Sequence, residues 1–200
     1  MKLIYLYILF FLPFFLSNGK SRIGEYYLGF GYGLVDDSDG LFDGDSFNFF
    51  TNSLASDSVD LNFHYTYSGL DTNSSKETFW KLGIGMRYHF DHFHENDGMF
   101  RPFLGAGLQY FDDSGSLLQE EDGFGWTVEL GAELSFTQNV SFLFYSRLYG
   151  LWMDFRHNDF EINSELNWWM DDENAISIAY LRAIDAGTDS VFFKYMYSWR

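Results

Sequence analysis

The sequence contains no cysteine, few basic residues and, after residue 16, no long apolar run. The lack of cysteine excludes disulfide bonds and thiolate metal sites. Only 12 Lys and Arg stand against 29 Asp and Glu, which argues against nucleic acid binding because that binding places basic side chains on phosphates. No segment after residue 16 is long enough for a transmembrane helix, so in a membrane this part of the chain must span as strands.

The first 19 residues have the layout of a secretory signal peptide. Lys2 supplies a short positive region, Leu3–Leu16 is an apolar run, and Ser17 and Gly19 are small residues at a cleavage site. A retained membrane anchor would need about 20 apolar residues, and this run is shorter. We therefore expect residues 1–19 to be removed and residues 20–200 to form one domain.

Aromatic residues are abundant, at 22% of the chain. A soluble core of this size could not hide so many rings, whereas a lipid-facing surface with aromatic girdles could expose them. The stretch Trp80–Phe90 shows the pattern that such a surface requires. Every second residue is apolar or aromatic, and small or charged residues alternate with them. Since successive side chains in a strand point to opposite faces, this alternation predicts a membrane-crossing strand of a closed barrel.

A Leu-Gly phrase repeats along the chain, at Leu28–Tyr32, Leu82–Gly85 and Leu104–Tyr110, with a weaker copy at Leu130–Phe136. The glycines fall on the face opposite the apolar residues. Bulge or edge glycines in a β-sandwich would be the alternative explanation. Several copies in one register favour the barrel, where small inward residues make room for large neighbours.

The alternation predicts an all-β chain, an antiparallel up-and-down transmembrane β-barrel of ten strands. Phe47–Leu54 is the weakest strand, and eight strands is the alternative, because a barrel of this kind needs an even number. The predicted connections include tight turns at 55–57, 137–139 and 171–174 and longer acidic loops between them. The predicted strands are 25–34, 47–54, 58–68, 80–90, 100–111, 124–136, 140–153, 160–169, 175–181 and 191–199.

From about residue 24 to the end, the chain resembles the small outer-membrane β-barrel proteins of Gram-negative bacteria, of the OmpA, OmpX and OmpW types. The resemblance rests on the signal peptide, the Leu-Gly strands, the tight turn before Val140 and the closing strand. It implies an outer-membrane location, contact with outer-membrane lipid and lipopolysaccharide, and insertion by the barrel assembly machinery. The insertion signal would be the alternating aromatic residues Phe193, Tyr195, Tyr197 and Trp199, which Arg200 follows.

Projection of the strands places a set of charged and polar residues on the inner face. We interpret them as a polar network that fills a narrow lumen, because buried charges persist only when they are paired. An excess of inward glutamate suggests, as an alternative, a narrow cation-preferring pore. The set is Asp60, His64, Lys81, Arg87, Glu129, Glu133, Arg147, Glu161, Glu165 and Lys194.

Two further chemistries are weighed. Asp60 and His64 share a face at positions i and i+4, as a lipid hydrolase of the outer membrane would require of an acid and a base. No serine accompanies them in a hydrolase-like context, so we do not expect an enzyme. His92 and His94, close to the inward-pointing His89, are weak candidates for zinc or copper ligands, and we expect no metal or cofactor.

The sequence thus predicts a structural or interaction role that uses acidic outer loops. A narrow passive pore for small solutes or cations is the second hypothesis. A secreted lipocalin-like barrel that binds apolar ligands inside is the third, and it would require the apolar face of every strand to point inward.

Overall fold

Ten segments with alternating apolar and polar residues form strands, and these strands close into a ring. A computed structural model describes residues 26–37, 42–72, 76–90, 100–113, 122–153, 155 and 158–199. Among these residues no helix is long and apolar enough to cross a membrane. The strands are β1 (Tyr27–Asp37), β2 (Phe42–Ser56), β3 (Val59–Thr72), β4 (Lys76–His89), β5 (Phe100–Asp113), β6 (Gly123–Ser135), β7 (Val140–Leu151), β8 (Asn158–Trp169), β9 (Asn174–Ala183) and β10 (Thr188–Ser198).

The predicted ten-stranded antiparallel barrel is confirmed. Each strand pairs with its neighbours along the chain, and β1 pairs with β10 over its whole length, from Tyr27 opposite Ser198 to Asp37 opposite Thr188. The eight-stranded alternative is wrong, because β2 is a full strand hydrogen-bonded to both β1 and β3. Closure leaves no free sheet edge, and a free edge would expose unpaired backbone groups.

The outer face of the barrel is apolar, as the alternation predicts. Large side chains such as Leu34 (63% exposed), Ile84 (57%) and Phe193 (64%) point away from the lumen. Rings also contact one another on this face, including Trp80 with Tyr110 at 5.3 Å between centroids. The lipocalin-like hypothesis is therefore wrong, because it needs these faces inside the barrel.

Several strands are longer than predicted, and most of their extra residues are polar. β1 continues to Asp37, β2 begins at Phe42, and β5 continues to Asp113, so part of each predicted acidic loop is strand. The prediction used the alternation of apolar residues, which marks only the part of each strand that faces lipid. Backbone hydrogen bonds between strands continue beyond that part, among residues that face water. The turn predicted at 55–57 lies instead at 57–58, because a register shift between Leu54 and Ser56 inserts a residue into β2.

The two ends of the barrel differ. The turn end carries the tight turns at 57–58, 136–139 and 170–173, together with the first residue of β1 and the last residue of β10. The last residue of β4 and the first residue of β5 also lie there. The strand ends that flank the other five connections lie at the loop end. The predicted alternation of short turns and longer loops, which in outer-membrane barrels face the periplasm and the outside respectively, holds only in part. The longest interval between strands, from His89 to Phe100, is at the turn end, and only three residues separate β3 from β4 at the loop end.

The turn between β8 and β9 is organised around the carboxylate of Asp171. That carboxylate accepts hydrogen bonds from the backbone N–H of Glu173 at 2.8 Å and from the backbone N–H of Asn174 at 2.7 Å. The bond from Glu173 contributes most to holding the pKa of Asp171 below its ordinary value of 3.8, and the bonds from Asn174 add to it. These bonds therefore stabilise the turn fully at a pH above that ordinary pKa. The stabilisation is lost as the pH falls through the lowered pKa.

Two glycines show why small residues are needed on the inner face. The ring of His64 lies over Gly83, where a Cβ atom would occupy the same space. At Gly107 a Cβ atom would lie 2.9 Å from the Cα of Gly85 and would also collide with the carbonyl oxygen of Ile84. Gly85 and Gly107 are opposite each other in neighbouring strands, so the backbones here leave no room for a side chain.

Replacement of Gly107 by Val should destabilise the barrel by about 1–3 kcal/mol, because the added atoms collide with backbone that cannot move away cheaply. Ala106→Val, one residue earlier and on the outer face, is the matched control and should change stability by about 0.5 kcal/mol or less. Urea unfolding of the two variants in lipid vesicles measures the difference. Equal stabilities would contradict this account of the glycine face.

Candidate functional site

The candidate functional site is the barrel lumen. The structure places all ten predicted lumen residues on the inner face, where each is buried or lines the internal cavity. They do not form a single network. The described residues divide into a central ion chain, a separate lysine–glutamate pair, and isolated polar contacts that involve the histidines.

Five side chains form the lumen ion chain, which we define as Arg87, Glu129, Arg147, Glu161 and Lys81 in order of contact. Glu129 accepts from Arg87 Nε at 2.8 Å and from Arg147 Nε at 2.8 Å. Glu161 Oε1 accepts from Lys81 Nζ at 2.5 Å, while Arg147 Nη1 lies 3.6 Å from Glu161 Oε2. Positive and negative groups therefore alternate from β4 through β6, β7 and β8 and back to β4. This alternation is how buried charges remain ionised in a poorly solvated interior.

Aromatic rings fill the space beside the cations of this chain. The guanidinium of Arg87 lies 4.8 Å from the centroid of the Phe103 ring and 5.2 Å from that of Tyr145. Lys81 Nζ lies 5.2 Å from the ring of Tyr149, which stacks on Phe111 at 5.4 Å. Such contacts stabilise a cation away from water. The sequence pattern did not predict these inward rings. Their residues lie on the inner face of the strands, as the inward charges do.

A second ionic pair lies on the other side of the lumen. Lys194 Nζ donates to Glu165 Oε2 at 2.5 Å, and Ser177 donates to Glu165 Oε1 at 3.2 Å. The ammonium of Lys194 also lies 5.3 Å from the ring of Phe50. This pair joins β10 to β8, two residues along β8 from Asn163 and four from the Glu161 of the lumen ion chain.

The acid–histidine pair considered for an enzyme does not form. Asp60 Oδ2 instead contacts His89 Nε2 at 2.8 Å, and His64 Nε2 lies 3.2 Å from Gln109 Oε1. Residues at i and i+4 of a strand share a face but are about 13 Å apart along it. Their closest inward neighbours therefore come from other strands.

Sequence analysis also missed two inward charges. Arg101 is 8% exposed and stands directly opposite Glu133 in the pairing of β5 with β6. Asp159, at the loop end of β8, accepts from the hydroxyl of Tyr149 at 3.2 Å and from the backbone N–H of Asp185 at 2.9 Å. The signal for Arg101 was its position between the outward residues Phe100 and Pro102, which places it on the inner face.

An internal cavity of about 160 Å³ lies between the two ionic groups and the wall formed by β1, β2, β3 and β10. Four cationic side chains and two carboxylates line it, so its walls carry more positive than negative charge. Arg87 and Arg147 share the carboxylate of Glu129, which is not one of the lining residues, so the cation preference inferred from the number of inward glutamates stays a prediction. The charged lining residues are Lys81, Arg87, Arg147, Lys194, Glu161 and Glu165.

The remaining candidate residues lie elsewhere. His92 and His94 fall outside the described residues. Within the described part of the chain there is no group of three or more His, Asp or Glu that could hold a metal ion. Of the predicted insertion signal, Phe193 and Tyr197 are exposed on the outer face, and the ring of Trp199 lies 6.5 Å from that of Tyr26. Whether these residues act as a signal stays a prediction.

Glu129→Gln should destabilise the barrel by about 3–5 kcal/mol, because it leaves the guanidinium groups of Arg87 and Arg147 buried without their shared carboxylate. Glu173→Gln removes the same charge from an exposed turn and should cost about 0.5 kcal/mol or less. Urea unfolding from lipid vesicles compares the two. A loss for Glu129→Gln as small as the control would show that water, not Glu129, compensates the two arginines.

Comparison with known proteins gives one family match. Residues 9–167 match the family model for the outer membrane protein β-barrel domain. No curated protein sequence matches the chain significantly.

Solved structures of similar shape include three from bacterial outer membranes. Neisserial surface protein A is 16% identical, with 88% of this chain and 97% of that chain covered and a TM-score of 0.46. OprG from Pseudomonas aeruginosa is 13% identical, covering 92% and 100%, with a TM-score of 0.44. The KdgM porin is 9% identical, covering 87% and 99%, with a TM-score of 0.44. At these identities and scores, the similarities assign no function.

Proposed function

The chain belongs to the outer membrane protein β-barrel family, and on that basis we propose that it is a structural and interaction protein of the outer membrane whose lumen does not conduct solutes from one end to the other. The family places the protein in the outer membrane of Gram-negative bacteria. The finer role, and the absence of transport and of catalysis, belong to the proposal.

The observation that supports a closed lumen is the lumen ion chain. Its five side chains reach from β4 to β8 across the barrel interior, and each glutamate contacts two cations within 3.6 Å. An ion that passed through this region would have to separate these pairs. Separation of a buried pair costs several kcal/mol, which is a large barrier for a passive pore.

The loop end supports an interaction role. Strand ends on that side expose acidic side chains, among them Asp36, Asp43, Asp45 and Asp122. Carboxylates bind divalent cations, and divalent cations also bind the phosphates of lipopolysaccharide. We infer that this acidic rim contacts lipopolysaccharide through shared Mg²⁺ or Ca²⁺ ions.

A narrow pore is the second candidate, and the cavity beside the lumen ion chain favours it. The cavity is lined in part by small polar residues, including Ser46, Ser68, Thr188 and Ser190. These would offer a hydrated route along the wall opposite the charges. The conductance experiment below separates this candidate from the closed barrel.

The purified protein in planar bilayers should show no stepwise conductance. Removal of one ionic contact by Lys81→Ala/Glu161→Ala should produce steps, since both side chains leave the interior and space opens beside the cavity. The matched control is Arg182→Ala/Asp189→Ala, which deletes an ion pair that lies on the outer face, and it should not conduct. Regular steps from the unaltered protein would overturn the closed-barrel proposal in favour of the pore.

Lipopolysaccharide binding in detergent should depend on Mg²⁺ and on the acidic rim. Asp43→Asn/Asp45→Asn at the loop end should weaken the Mg²⁺-dependent binding about fivefold, corresponding to about 1 kcal/mol. Asp57→Asn/Asp172→Asn makes the same change at the turn end and should have no effect. Calorimetry that finds binding equal in Mg²⁺ and in EDTA would reject the cation-bridged contact.

A further inference from the structure

The lumen cavity lies between two lysine–glutamate bridges. Lys81 reaches Glu161 from β4, and Lys194 reaches Glu165 from β10, each at 2.5 Å. Both glutamates belong to the inner face of β8, and Asn163 stands between them on that face. All five side chains line the same cavity of about 160 Å³.

Both lysines have unused hydrogen-bond donors. An ammonium group has three N–H donors, and each lysine directs one of them to its glutamate. Rings lie beside both groups, Tyr149 beside Lys81 and Phe50 beside Lys194, and both lysines line the cavity, so their remaining donors are available to a solute there. Arg87 and Arg147 also line the cavity, but Glu129 holds both, so Lys81 and Lys194 are the lining cations with donors to offer an anion.

The cavity also contains acceptors that lack donors. Asn163 is 4% exposed, and its Oδ1 has no hydrogen-bond partner. Asn48 also lines the cavity, and its Oδ1 has no hydrogen-bond partner either. Buried acceptors of this kind are normally satisfied by water or by a ligand that donates. A simple anion satisfies the lysines and leaves these oxygens unpaired.

We infer that the lumen binds a small hydroxylated carboxylate. Its carboxylate would accept from Lys194, and its hydroxyl would donate to Asn163, which lies two residues from Glu165 on the same face of β8. A cavity of similar size, about 150 Å³, holds benzene in another protein, so a solute of about six non-hydrogen atoms fits here. The site requires only binding in the lumen, and it does not depend on whether the barrel conducts.

The first test is calorimetry of the intact barrel in detergent with glycolate and acetate as probes. Glycolate should bind saturably, and acetate, which lacks the hydroxyl, should bind several-fold more weakly because it leaves Asn163 unpaired. Asn163→Ala should remove that difference. No saturable glycolate binding, or equal binding of the two acids to the unaltered protein, would overturn the inference.

The second test uses two variants with opposite expected signs. Lys194→Gln removes a cation and should weaken glycolate binding about tenfold or more, whereas Glu165→Gln frees Lys194 and should strengthen it by a similar factor. A general disturbance of folding would weaken both, so the opposite signs distinguish the site from a structural effect. Arg182→Gln, which removes one positive charge on the outer face, is the control and should not change the affinity.

Each variant is first checked for the altered gel migration of a folded barrel before and after boiling. If Lys194→Gln does not fold, the gain expected for Glu165→Gln still tests the site. A loss of glycolate binding in Glu165→Gln, or an unchanged affinity, would reject it. The bilayer recordings test only whether the lumen conducts, and calorimetry tests only the binding site. A failure of one proposal can therefore be distinguished from a failure of the other.

Discussion

The structure depends on the pairing of β1 with β10. In lipid, no water is available for backbone N–H and C=O groups, so every strand needs a neighbour on both sides. The two strands pair from Tyr27 opposite Ser198 to Asp37 opposite Thr188, and Trp199 adds a backbone bond to Tyr26 at 3.1 Å. Once the ring closes, the alternation of each strand directs one set of side chains to lipid and the other into a narrow interior.

Closure creates the second constraint, which is the burial of charge. Side chains that face inward lose most of their water, so they must find partners among the other inward residues. Glu129 meets this need with two arginines from different strands, and Lys81 and Lys194 meet it with glutamates of β8. These contacts fill one side of the lumen. The cavity lies beside them, along the wall that β1, β2 and β3 contribute to.

Much of the fold was predictable because a strand has a period of two. The stretch Trp80–Phe90 alone indicates which side chains meet lipid, and the structure exposes Leu82, Ile84 and Met86 as expected. Strand ends were less predictable, since pairing continues past the apolar band into acidic residues. The inner residues could be assigned to the lumen by the same period, and only their partners could not. Asp60 illustrates the limit, because its partner His89 lies 29 positions away in sequence.

The sequence by itself determined the class of fold, the antiparallel order, the lipid-facing surface and the set of charges available to the lumen. These follow from local alternation and from the location of the turns. The strand register is seen only in the folded barrel. The register in turn sets which charges form pairs, which rings lie beside them and which groups line the cavity. The sequence shows an excess of inward glutamate, but only the register shows that Glu129 is shared by two of the four cations that line the cavity. Register depends on how each strand pairs with its neighbours around the whole ring, so it cannot be predicted from the sequence of a single strand.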